Sequence, residues 1–129
     1  MSVSPSSLYY GSALLYAATI PKHTLVGLNS VAPAVSTIAE DTPTNRKMKL
    51  LLTPTWLHCN LWLVTSALLS AKWARLGGPS STEEKAIVWA QLVVGGVVGW
   101  QYFKHNMYVG LGCLWAAPVA GAAALIWEN

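Results

Sequence analysis

The feature that most limits the fold of this chain is an uncharged stretch of 22 residues at positions 50–71, LLLTPTWLHCNLWLVTSALLSA. As a helix it is about 33 Å long, close to the roughly 30 Å of a bilayer's hydrocarbon core. Charged residues make up 10% of the whole chain and mean hydropathy is +0.42, whereas soluble domains carry about 25% charged residues. The stretch is therefore predicted to be a membrane-spanning helix.

Three more apolar segments are separated by short polar runs, STIAEDTPTNRK, GGPSSTEEK and KHN. The 129 residues are expected to form one domain. Pro21 interrupts the first segment, and we expect the helix to kink there and continue. The predicted fold is all-α, a four-helix transmembrane bundle with helices at 8–34, 48–75, 83–103 and 107–127.

Small residues predict how the last two helices meet. Gly95 and Gly99 lie one helical turn apart, and the final segment carries similar ridges of alanine and glycine. Close approach of backbones is a main source of helix association in lipid. The KHN turn is so short that the third and fourth helices should pack as an antiparallel hairpin. Homodimerisation through one of these ridges is the alternative.

Polar residues recur at helical spacing in the first two segments. The stripe in the first comprises Tyr9, Ser12, Tyr16, Thr19 and His23, and that in the second comprises Thr55, His58, Trp62 and Thr65. Since polar groups facing lipid are penalised, both stripes are expected to face inward. Asn60 points about 200° away from His58. We expect one of the two to meet another neighbour, such as Gln91.

An ionisable side chain near the bilayer midplane is a functional hypothesis by default. His58 is therefore the candidate acid or base, and His23 its counterpart. The remaining candidates are Tyr16 and Tyr9 as proton donors, Trp56 and Trp62 as pocket walls, and Asn60, Gln91 and Ser12 as substrate contacts. The structural alternative is that the histidines and hydroxyls form hydrogen bonds between helices, and that His23 lies at the membrane interface beside Lys22.

Other chemistries lack sequence support. No acidic residue lies within an apolar segment except Glu128 at its end, and the motifs of zinc proteases, phosphate loops and serine hydrolases are missing. We predict no metal and no cofactor. The formal net charge is +3, and the basic residues lie between the apolar segments, so nucleic acid is not an expected partner.

The four apolar segments, seven tryptophans, the Pro-Lys-His sequence at Pro21–His23 and the short polar loops resemble small integral membrane proteins of filamentous fungi. The patterns of membrane anthrone oxygenases and seven-helix terpene cyclases are not present, so no family residues are carried over. The resemblance implies secondary metabolism, in which related membrane enzymes cyclise, isomerise or oxidise lipophilic intermediates.

The leading functional hypothesis is a membrane enzyme, a cyclase or isomerase, that acts on a lipophilic small molecule by acid/base chemistry. A non-catalytic accessory subunit is the alternative, and a small-molecule or ion carrier is the third. Expected partners are the lipid bilayer, the lipophilic molecule, and a membrane protein or second copy. We expect the chain in the endoplasmic reticulum or another intracellular membrane.

Overall fold

The computed structural model describes residues 4–127, of which 88% are helical and none lies in a strand. Over this range the all-helical class and the number of four helices are confirmed. The first helix is continuous but changes type, because a π-helical turn separates two α-helical parts. The elements are α1 (Pro5–Val26), a first π turn (Gly27–Val31), α2 (Ala32–Ser36), α3 (Pro43–Leu76), α4 (Thr82–Lys104), a 3₁₀ turn (Tyr108–Gly110), a second π turn (Gly112–Ala116) and α5 (Ala117–Trp127).

Polar side chains set where the helices begin. Ser4, Thr42 and Ser81 each accept a hydrogen bond from the backbone N–H three residues further on, which satisfies an otherwise unpaired donor. The helix predicted at 83–103 begins one residue earlier, at Thr82, where Ser81 caps it. The start predicted for α3, residue 48, is too late, because Thr42 caps the helix and Pro43 fits its first turn.

The two π turns share a sequence pattern. GLNSVAP and GCLWAAP each begin with the glycine that opens the π turn and end with a proline two residues after it, Pro33 or Pro118. Proline lacks an N–H and clashes with the carbonyl four residues before it, and a widened turn relieves that clash. Pro21, where we predicted a kink, lies inside regular α1. The change of helix type comes later, at Gly27.

The centre of the molecule is α1, which packs against α3 on one side and α5 on the other, while α4 packs on α5 and the second π turn. A Cβ at Gly95 would overlap the carbonyl oxygen of Leu114, and one at Gly99 would overlap the Trp115 indole. The predicted hairpin of the last two segments is therefore confirmed. Ala116 belongs to one of the predicted ridges of alanine and glycine in the final segment, but its side chain is exposed.

Two of the described helices, Thr82–Lys104 and Tyr108–Trp127, are long and apolar enough to cross a membrane. In their most apolar windows 22% and 44% of the residues are buried, so most of this apolar surface faces outward. The first helix and α3 are also long, but they carry the polar stripes, and their mean hydropathy is below that of the two candidate spans.

Candidate binding groove between the first helix and α3

A chain of hydrogen bonds joins the first helix to α3. His23 Nδ1 lies 2.9 Å from Asn60 Oδ1, Asn60 Nδ2 donates to Thr24 Oγ1 at 3.2 Å, and the Thr24 hydroxyl donates to the Ile20 carbonyl at 2.9 Å. Because Asn60 directs its NH₂ group at Thr24, its oxygen faces His23 and can only accept. The hydrogen of a neutral His23 ring is therefore on Nδ1, which leaves Nε2 as the basic atom.

Trp56 covers the histidine. Its ring stacks on that of His23 with centroids 4.1 Å apart and planes inclined by 7°, and its Nε1 donates to the His23 carbonyl at 3.2 Å. The indole fits here because Gly27 has no side chain, since a Cβ at that position would overlap it. The imidazole of His23 is thus held by the Trp56 ring and by its hydrogen bond to Asn60.

An open groove of about 170 Å³ adjoins this cluster. A cavity of similar volume holds one benzene ring, so the groove can take one ring of a larger molecule. Asn60 and Thr24 supply polar atoms to its wall, while His23 lies behind Asn60 and Trp56 and does not line it. Its lining is Thr24, Gly27, Leu28, Val31, Ala32, Thr53, Trp56, Leu57 and Asn60.

His58 does not lie where the sequence analysis expected it. The side chains of Thr55, His58 and Thr65 are exposed, so the prediction that this stripe faces inward is wrong for these three residues, whereas Trp62 of the same stripe packs against Tyr16. The face of α3 that is buried carries Leu63, Ser66, Ser70, Trp73 and Ala74. Helical period identifies residues that share a face, but it does not determine which face packs against the neighbouring helices.

The first polar stripe does face inward. Tyr9, Ser12 and Tyr16 are buried and His23 is half-buried. Asn60, however, pairs with His23 and not with Gln91, which donates to Ser66 at 3.0 Å.

The other predicted site residues are distributed through the bundle and do not join the groove. Ser12 lies 3.4 Å from Ser70 between their hydroxyl oxygens, and the Tyr9 ring lies 6.0 Å from that of Trp73. Trp62 meets the buried Tyr16 ring edge-on at 5.5 Å, so it is not a groove wall.

The structure thus brings together His23, Asn60 and Trp56 of the predicted set. Thr24 and Gly27 also belong to this cluster and were not predicted from the sequence. The available signal was the glycine six residues before Pro33, which marks the π turn beside the groove.

Comparison of the chain with protein-family models, with curated proteins and with solved structures finds no match in any of the three.

Proposed function

We propose that the chain is an integral membrane protein in which all four helices cross the bilayer. Large apolar side chains point outward from every helix, whereas soluble monomers rarely expose apolar patches beyond a few hundred Å². One example from each helix, with its exposed fraction, is Leu14 at 69%, Leu61 at 60%, Val93 at 64% and Val119 at 54%. An intracellular membrane such as the endoplasmic reticulum remains the proposed location.

Within that membrane the proposed activity is acid/base catalysis on a lipophilic molecule held in the groove. The observation that supports it is the hydrogen bond between His23 Nδ1 and Asn60 Oδ1, which joins an ionisable side chain to the groove wall and leaves Nε2 as its basic nitrogen. The reacting group of the substrate would lie against Asn60 and Trp56, the two wall residues that contact His23. Because His23 is behind this wall, its Nε2 would exchange the proton with the substrate through one water molecule.

The reaction class that fits one such base is isomerisation or cyclisation. An acid that adds a proton to one carbon of a double bond forms a cation, and the conjugate base then removes a proton from another carbon, so the double bond moves without an oxidant or a cofactor. Trp56, whose ring lies in the wall, would stabilise a cation that develops in the substrate. The proposed roles are proton exchange for His23, positioning for Asn60, and ring contact for Trp56.

The test replaces His23 by glutamine, which keeps a hydrogen-bonding side chain but cannot exchange a proton near neutral pH. We expect His23→Gln to remain folded and to lose roughly a hundredfold or more of its turnover, the usual contribution of a general acid or base. The measurement is product formation by membranes that carry the chain, with protein level and melting temperature recorded for each variant.

His58→Gln is the matched control, because it makes the same change at an exposed position of α3, and its turnover should be unchanged. Full turnover in a stable His23→Gln variant would contradict the proposal. Loss of turnover in His58→Gln instead would return the catalytic role to the residue that the sequence analysis favoured.

A non-catalytic accessory subunit is the second candidate. The observation that favours it is the exposed stripe of Thr55, His58 and Thr65, which no catalytic role in the groove requires. If the protein is an accessory subunit, His23→Gln should leave the phenotype of the membrane unchanged, while His58→Leu should impair it.

A further inference from the structure

We propose that Thr55, His58 and Thr65, here called the outer stripe, form the interface through which two copies of this chain associate side by side in the bilayer. The inference rests on the proposed four-helix membrane insertion, but it does not depend on the chemistry of the groove. It assigns a role to the histidine that the fold leaves outside the bundle.

The outer stripe consists of polar groups that the chain itself does not satisfy. The three residues are exposed at the edge of the packed face of α3, beside Trp62, which packs against Tyr16. Within residues 4–127 none of their side chains makes a hydrogen bond. Thr19 and Thr24 in the first helix behave differently, since each donates its hydroxyl to the carbonyl four residues before it. The polar atoms of the outer stripe are therefore available to a partner.

The position of His58 along α3 makes an unpaired imidazole energetically unfavourable. His58 follows Lys49 by nine residues and precedes Lys72 by fourteen, so along α3 it lies about 13 Å and 21 Å from these basic residues. Both distances exceed the reach of an imidazole. At such a depth lipid offers no hydrogen-bond partner, and an exposed polar side chain is penalised until a protein group pairs with it.

The chemistry of the stripe fits a second copy of itself. The outer stripe carries no formal charge when His58 is neutral, so it does not need a charged residue on the partner helix. A hydroxyl and a neutral imidazole each donate and accept, which makes the stripe complementary to an identical stripe. Two copies inserted in the same orientation place their outer stripes at the same depth in the bilayer. A two-fold axis along the membrane normal therefore brings the two stripes into contact.

Apolar side chains on the same face supply packing around the polar contacts. Leu51 and Leu61 flank His58 at helical spacing, and each is 60% exposed. Their side chains would surround the hydrogen bonds between the two copies and exclude lipid from them. A lipid molecule could cover these leucines, but it could not pair with the imidazole between them.

The first experiment measures the dimer fraction of purified protein in liposomes by single-molecule photobleaching over a series of protein-to-lipid ratios. His58→Leu should weaken association roughly three- to tenfold, as expected for one or two hydrogen bonds between membrane helices. His58→Gln, which can still donate and accept, should stay within about twofold of the wild type. Gln101→Leu is the matched control, since it removes an exposed polar side chain from α4 and should change nothing.

The second experiment locates the contact by disulfide cross-linking. The background carries Cys59→Ser, because the native thiol at this position is exposed. Thr65→Cys should form a cross-linked dimer in the membrane, whereas Val93→Cys on the outer face of α4 should not.

Membrane integration is tested first, by resistance to alkaline extraction. A chain that is extracted overturns the membrane proposal and this inference with it. An integrated chain that stays monomeric at every density, or associates equally well with His58→Leu, overturns this inference alone. Cross-linking of Thr65→Cys to a different protein and not to itself also overturns it.

Discussion

At the scale of single residues, three glycines make room for aromatic rings of neighbouring segments. A Cβ would overlap Trp56 at Gly27, Trp115 at Gly99 and Tyr102 at Gly110. In two of these cases the indole also donates to a helix carbonyl, that of His23 for Trp56 and that of Gly96 for Trp115. A missing side chain on one helix thus lets a large ring reach the backbone of that helix.

Gly27→Ala is predicted to destabilise the protein, because the new methyl group would displace the Trp56 indole from its place over His23. Overpacking of this kind typically costs about 1 to 3 kcal/mol. Thermal unfolding in detergent measures the effect. The control is Gly11→Ala in α1, where no atom lies close to the added Cβ, and there the greater helix propensity of alanine should add up to about 1 kcal/mol. Equal melting temperatures for the two variants would contradict the assignment.

At the scale of elements, the last two helices form a hairpin whose closest approach involves backbone. The carbonyl oxygen of Leu114, in the second π turn, lies where the Cβ of residue 95 would be. A rotamer change can move an indole, but a backbone carbonyl moves only with its helix. Gly95 should therefore tolerate substitution less well than Gly27.

Gly95→Ala is accordingly predicted to cost about 3 kcal/mol, the upper end of the range for overpacking. The adjacent Gly96→Ala serves as control, because position 96 is exposed and no atom lies near the added Cβ. Chemical unfolding in detergent micelles compares the two variants. A Gly95→Ala protein as stable as Gly96→Ala would contradict the close contact between α4 and the second π turn.

At the scale of the whole molecule, polar contacts mark the two ends of the bundle. At one end Ser6 donates to the Ala74 carbonyl and Lys72 pairs with Glu84 at 2.6 Å. At the other end Lys49 pairs with Glu40 at 2.9 Å. The apolar middle between these ends is the part that the proposed membrane would cover.

Four crossings predict that the turns alternate between the two sides of the membrane. In sealed vesicles Asp41→Cys and His105→Cys should react with an impermeant thiol reagent from the same side, and Ser80→Cys from the opposite side. The background again carries Cys59→Ser, while Cys113 is buried. Reaction of all three positions from one side would show that the first helix and α3 do not cross.

Local features of the fold were predictable because neighbouring residues determine them. The start of α4 near residue 83, the turn after Lys104 and the helical stripes all follow from short-range hydrogen bonding and helical period. The candidate site was predictable in part, since His23, Asn60 and Trp56 were named as functional residues, but their association was not.

By itself the sequence determined four helices, their approximate ends and which residues share a face. Tertiary structure alone decided that α3 turns Asn60 inward and His58 outward, although both lie in the same uncharged stretch. The reason is physical: a helix with polar groups on several faces has no single apolar stripe, so the face that packs is set by the fit of Trp56 to Gly27 and of Ser66 to Gln91. Such fits join residues far apart in the chain.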